Sequence, residues 1–190
     1  MLLWGILSIM ALAVVYAIVV FNTLVRARQM TNEAWSGIDV QLKRRSDLVP
    51  NLVETVKAYA GHERSVLEEV TALRGAARAL PTDDVASRAQ AEGALSVALG
   101  KLLAVAESYP DLKASGNFLE LQQQLSALEN ELQMARRYYN GAVRNLNVLV
   151  QSFSSNLIAG VFGFTPRDYF EVSDVAERAV PQVALNPAPR

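Results

Sequence analysis

Residues 117–153 read NFLELQQQLSALENELQMARRYYNGAVRNLNVLVQSF. Apolar side chains fall at Phe118, Leu121, Leu125, Leu128, Leu132, Ala135, Tyr139, Ala142, Leu146, Leu149 and Phe153, alternating steps of three and four. With 3.6 residues per turn, that spacing gathers them on one stripe, so the segment is a long amphipathic helix. At ~1.5 Å per residue it extends about 55 Å. Asn117 follows Gly116 and is the expected N-cap, with Glu120 as its capping-box partner.

The same alternation runs back through the chain. Leu52, Val56, Tyr59, Val66, Val70, Leu73, Ala77 and Leu80 form a second stripe, interrupted only by Glu63. Pro81-Thr82-Asp83-Asp84 stops it and offers a new cap. A third helix carries Val85, Ala89, Leu95, Leu99, Leu102 or Leu103, and Ala106, and Tyr109-Pro110-Asp111 ends it. Leu24, Ala34 or Trp35, Ile38, Leu42 and Val49 mark an earlier one. Pro50 leaves two alternatives open. It removes a backbone donor and disfavours helix at Val49, so the chain turns there. Yet the register 35, 38, 42, 45, 49, 52, 56 passes straight through it, so a kinked continuous helix fits as well. With a turn, the helices form an antiparallel up-down four-helix bundle.

Before the bundle, Leu2 to Phe21 read LLWGILSIMALAVVYAIVVF, without a charge. Twenty residues at ~1.5 Å each match the roughly 30 Å hydrocarbon core of a bilayer. A cleaved signal peptide needs a basic leader, a shorter apolar run and small residues at the cleavage point. Phe21-Asn22-Thr23 fits that badly, so the expectation is a single uncleaved transmembrane helix. All lysines and arginines follow it, beginning with Arg26 and Arg28, which places the C-terminal part in the cytoplasm and the N-terminus outside. A periplasmic domain is the alternative. The expected organisation is an anchor over 1–25, a helical bundle over 26–155 and a tail over 156–190. The tail holds Phe162, Phe164, Tyr169 and Phe170 among glycines and prolines, and its last residues are expected to be disordered. In an up-down bundle the fourth helix ends level with the membrane. Arg26, Arg28, Phe162, Phe164, Tyr169 and Phe170 are therefore candidate contacts with the membrane interface or with a second copy.

Composition narrows the chemistry. The chain has 190 residues, 51% hydrophobic and 19% charged, with no cysteine, one histidine and a net charge of −1. Without cysteine there is no disulfide scaffold, thiolate metal site or cysteine nucleophile. The charge balance lacks the footprint of a nucleic-acid binder. Gly100-Lys101 is no phosphate loop, because the upstream glycine is misplaced and Leu102 stands where a magnesium-ligating hydroxyl belongs. His62-Glu63 lacks a second histidine at 66. The acidic pairs Glu68-Glu69 and Asp83-Asp84 point apart on a helix and read as solvated faces. Lys43-Arg44-Arg45 has Asp39 and Asp47 one turn away, so ion pairs within the helix account for it. The residues nominate no catalytic, metal or cofactor site, and no small-molecule substrate.

Several blocks together carry a family resemblance. They are RQMTNEAWSGIDVQLKRRSDLVPNLVETVKAYAGHE from Arg28 to Glu63, LSVALGKLLAVAESYPDLKA from Leu95 to Ala114, Asn117-Phe118-Leu119, Glu129-Asn130, ARRYYN from Ala135 to Asn140, and Phe162-Gly163-Phe164. The chain resembles the bacterial LemA family along nearly its whole length. The resemblance implies a four-helix bundle on one N-terminal membrane helix, which favours the turn at Pro50. It implies no enzymatic activity and no cofactor. Together with the long coiled-coil-like stripe and the lack of any chemical constellation, it points to a membrane-anchored scaffold or interaction protein of the inner membrane, with the lipid bilayer and further copies of itself as partners. A magnetosome-membrane relative suggests membrane organisation. Gene neighbours of the family suggest a second reading, an adaptor for a membrane zinc peptidase or an envelope-stress system.

Overall fold

The computed structural model describes residues 1–171. These are all-helical, with six helices in chain order: α1 (Leu2–Tyr59), α2 (Arg64–Ala79), α3 (Val85–Glu107), α4 (Pro110–Lys113), α5 (Gly116–Gln151) and α6 (Ser155–Val161). The expected disorder at the end of the tail lies outside the described residues.

Helix α1 has 58 residues and runs unbroken through Pro50. Of the two alternatives at Pro50 the continuous helix is the one found. The turn that the resemblance favoured is absent, and the reason lies in a contact between helices. Proline has no N–H to give to the carbonyl of residue 46. Arg74 of α2 supplies the missing donor, with Nε 2.6 Å from the Ser46 carbonyl oxygen. The chain reverses ten residues later, at Ala60–Glu63. Ala60 N–H still bonds the Val56 carbonyl, and Glu63 N–H closes onto the Ala60 carbonyl. Gly61 sits here because a Cβ would lie 3.2 Å from the Lys57 carbonyl oxygen. The expected stripe from Leu52 to Leu80 is thus shared by two helices, and Tyr59 is exposed.

Cross-helix bonds set the directions. Arg74 reaches back to Ser46, so α2 descends along α1. Arg88 meets Asp39 at 2.7 Å and Arg45 meets Ser96 at 2.7 Å, so α3 ascends beside it. Arg45 to Glu129 at 2.7 Å and Trp35 to Tyr139 at 5.4 Å between rings show α5 descending again. Asp84 caps α3 by accepting from Ser87 N–H at 3.0 Å, and hydrogen bonding from the Ser87 side chain together with that backbone bond holds its carboxyl below the usual range. The N-cap of α5 is Ser115, without a side-chain bond, in place of the expected Asn117 box.

The core falls into three clusters. One gathers Val49, Leu52, Val56, Val70, Leu99, Leu102 and Leu125, far from the N-terminus. A second holds Ile38, Leu42, Leu132, Tyr139, Val143 and Phe170. The third, at the end nearest the apolar segment, joins Leu24 to Ala159 and Phe164. The stripe of α5 therefore buries as read, except at its end. The helix stops at Gln151, and Phe153 lies in the next turn, exposed.

Candidate membrane-facing site

The first part of α1 buries nothing. Its most apolar 18-residue window has mean hydropathy 2.5 and is long and apolar enough to cross a membrane. Its few hydroxyls are internally satisfied: Ser8 donates to the Trp4 carbonyl at 2.9 Å and Thr23 to the Val19 carbonyl at 2.8 Å. Such back-bonding satisfies these two hydroxyls within the helix itself. A second stretch, α3, passes the same test of length and composition, but it is a core helix with buried Arg88 and Glu92.

The apolar segment is not isolated from the domain. The chain leaves α5 through Ser154, whose φ of +71° is the one left-handed non-glycine value among the described residues. Ser154 Oγ lies 2.6 Å from the Tyr16 hydroxyl. Helix α6 then packs Ala159 beside Leu24, and Gly163, at φ +68°, turns the chain back. A positive φ is cheap for glycine and costly for serine, so contacts hold Ser154 in place. Phe21 receives Phe162 at 4.7 Å and Phe164 at 5.9 Å between ring centroids. The Arg28 guanidinium stands 4.9 Å from the Phe164 ring centre.

Beyond Phe164 the chain runs extended along α5, held by two asparagines. Asn147 accepts from Arg167 N–H at 2.8 Å and donates to the Arg167 carbonyl at 2.9 Å. Asn140 does the same at Phe170, at 2.9 and 3.2 Å. Each carboxamide imitates a neighbouring strand. The spacing matches: seven helical residues rise about 10.5 Å, and three extended residues rise about 10 Å. Between the clamps, Tyr139 donates to the Asp168 carbonyl at 2.9 Å. Burial pushes its phenol up to about 12, against a counter-pull from Arg167. Phe170 is sealed against Trp35 and Tyr139, with Arg136 over its ring. Beside it, Trp35, Ser36, Thr82, Tyr139 and Arg167 line a hollow of about 350 Å³.

The six candidate contacts therefore divide. Arg28, Phe162 and Phe164 converge around Phe21, and exposed Arg26 stands on the adjacent turn of α1. Tyr169 and Phe170 are elsewhere, level with Trp35 and about 21 Å further along α1 at 1.5 Å per residue. The clamping asparagines account for the separation. Sequence reasoning missed Asn140 and Asn147, although their heptad spacing on the long helix was a signal.

It also misassigned the basic cluster. Arg45 is buried and bonds across helices to Glu92, Glu129 and Ser96, not along its own helix. Desolvation alone would weaken its charge, but the two carboxylates outweigh that and raise its pKa above the ordinary value. Arg44 faces Glu131 at 3.6 Å. Asp39, expected to neutralise Lys43, pairs with Arg88 of α3. Among the described residues no group of three His, Asp or Glu side chains is placed to hold a metal.

Magnetosome protein MamQ 2 of Paramagnetospirillum magneticum is 25% identical over 175 residues, covering 80% of this chain and 64% of that protein. Protein LemA of Metamycoplasma hominis is 25% identical over 154 residues, covering 81% of this chain and 70% of that one. Magnetosome protein MamQ of Magnetospirillum gryphiswaldense is 22% identical over 189 residues, covering 86% and 70%. The chain thus spans a little under two thirds of the length of the first of these relatives. The LemA family profile matches residues 34–185. The chain belongs to the LemA family.

Proposed function

We propose that this chain is a non-enzymatic scaffold or interaction protein, anchored by Leu2–Phe21 in the inner membrane and self-assembling there. On this reading α1, α2, α3 and α5 work as an up-down four-helix bundle in the cytoplasm, with the N-terminus outside. The observation that carries it is the continuity of α1. One helix passes from a fully exposed apolar stretch into the core, with no linker between. Movement of the anchor is thereby movement of the domain, which suits a protein that organises a membrane surface. Two of the relatives are named as magnetosome proteins, which supports a role in membrane organisation.

Alkaline carbonate washing of membranes carrying the full chain tests the anchor, and detergent solubilisation followed by sizing tests assembly. Burial of twenty apolar residues predicts retention in the pellet. Complete release rejects the span. A homogeneous homo-oligomer supports the scaffold, a monomer rejects self-assembly, and a stoichiometric membrane peptidase in the same peak favours the adaptor reading.

A further inference from the structure

The two longest stretches of the chain without a charged side chain are 2–25 and 145–166. They are far apart in sequence and adjacent in the fold. The second contains the end of α5, the Ser154 turn, α6 and the return through Gly163. Its outward side is largely apolar: Phe153, Leu157 and Val161, spaced by four, are 88%, 63% and 79% exposed and Phe162 is 55% exposed, with the uncharged Ser152 and Asn156 exposed beside them. Burial of such a surface is favourable, and an exposed patch of this kind marks an interaction site.

Its depth follows from the contacts with α1. Ser154 touches Tyr16, and Phe162 touches Phe21. If α6 stayed in water, the membrane would have to end before Tyr16. That would leave residues 2–15, about 21 Å of helix, to cross about 30 Å of hydrocarbon. With the span at Leu2–Phe21, the Ser154 turn lies about 7 Å inside the border. That is the depth at which amphipathic helices rest in a leaflet.

The charges nearest above this level are arginines. Arg26 and Arg28 on α1 are joined by Arg167, held beside Asn147, and by Arg144, which shares a surface hollow with Met30. No Asp or Glu occurs in 1–32 or in 132–167, and the nearest acids in sequence are Glu33 and Asp168. Arginines just above an apolar surface match the phosphates of an anionic leaflet.

We propose that α6 and its flanking turns form a second membrane-seating element, sunk into the leaflet on the domain's side, with the four arginines on anionic headgroups. This rests on the reading that Leu2–Phe21 spans the bilayer. It adds that the domain is docked onto the lipid rather than held above it.

The absence of cysteine allows a clean test. Leu7→Cys, Leu157→Cys, Val161→Cys and Val97→Cys each carry a nitroxide on the full chain in phosphatidylglycerol–phosphatidylcholine vesicles. All four side chains are exposed, so the labels leave the core intact. Labels at 7, 157 and 161 should collide with oxygen more than with a nickel chelate, and the label at 97 should do the reverse. A lipid-exposed 7 with a water-exposed 157 overturns the seat and leaves the span. Water exposure at both overturns span and seat together. A label at 157 shielded from both quenchers reveals protein contact and also overturns the seat. For the arginines, the measure is the ratio of motionally restricted spin-labelled phosphatidylglycerol to phosphatidylcholine. Arg144→Gln with Arg167→Gln should lower it by about fivefold per arginine. An unchanged ratio removes the headgroup contact from the proposal.

Discussion

Arg45 carries a charge almost out of reach of water, and the polar interior depends on it. Glu92 beside it is also buried, while Glu129 reaches it from a half-exposed position. A buried pair contributes little net stability, but breaking it leaves an uncompensated charge. Arg45→Met should therefore cost about 3–5 kcal/mol. Arg45→Met with Glu92→Leu should recover most of that loss, as read from thermal melts of the full chain in detergent. Equal loss in both variants would show that packing, not charge, is at stake. Tyr139 carries a pH dependence. Its folded pKa is raised to about 12 from 10.0, so the neutral phenol is favoured by folding. The associated stability is complete below about pH 10 and is lost as pH rises through the folded value. Two units correspond to about 2–3 kcal/mol. The melting-temperature gap between wild type and Tyr139→Phe should shrink across that window. A constant gap would contradict it.

The helices raise the question of Pro50. A proline inside a helix costs about 3 kcal/mol or more, part of it a carbonyl left without a donor. Arg74 meets that carbonyl from the next helix. A hydrogen bond from a charged donor contributes about 1.5–3 kcal/mol, so Arg74→Met should destabilise by that order. In a Pro50→Ala background the restored N–H serves Ser46, and Arg74→Met should then cost much less. A double-mutant cycle measures the coupling, expected at about 1 kcal/mol. Additive losses would mean that the two residues act separately. The same pair explains the misplaced first turn. Sequence offers Pro50 both as a breaker and as a point that the 3–4 register crosses, and leaves the choice open. The rescue of Pro50 comes from a residue 24 positions later, on a helix whose direction is not yet known. The asparagine clamps are similar. Asn140 and Asn147 read as ordinary polar positions until an extended chain lies beside them.

Across the molecule, the two larger clusters are bridged by α1 and α5, which both traverse. They should melt as one unit. Leu125→Asp strikes the first and Leu132→Asp the second, and each buries an unpaired carboxylate at a cost of several kcal/mol. Each variant should lower a single cooperative transition. Two separate transitions in either would show that the clusters fold independently.

The amino-acid order was enough for the all-helical class, the stripe of α5, the Asp84 cap and the apolar N-terminal helix. Each depends on residues within a few turns of one another, through helical period, a local side-chain bond or hydropathy. Contacts between distant segments decided the rest. They carried α1 through Pro50, turned Arg45 inward to Glu92 and Glu129, and separated Phe162 and Phe164 from Tyr169 and Phe170. They also laid the second charge-free stretch beside the first. The physical reason is that a donor, a counter-charge or a packing partner has no place until tertiary packing positions the segment that carries it.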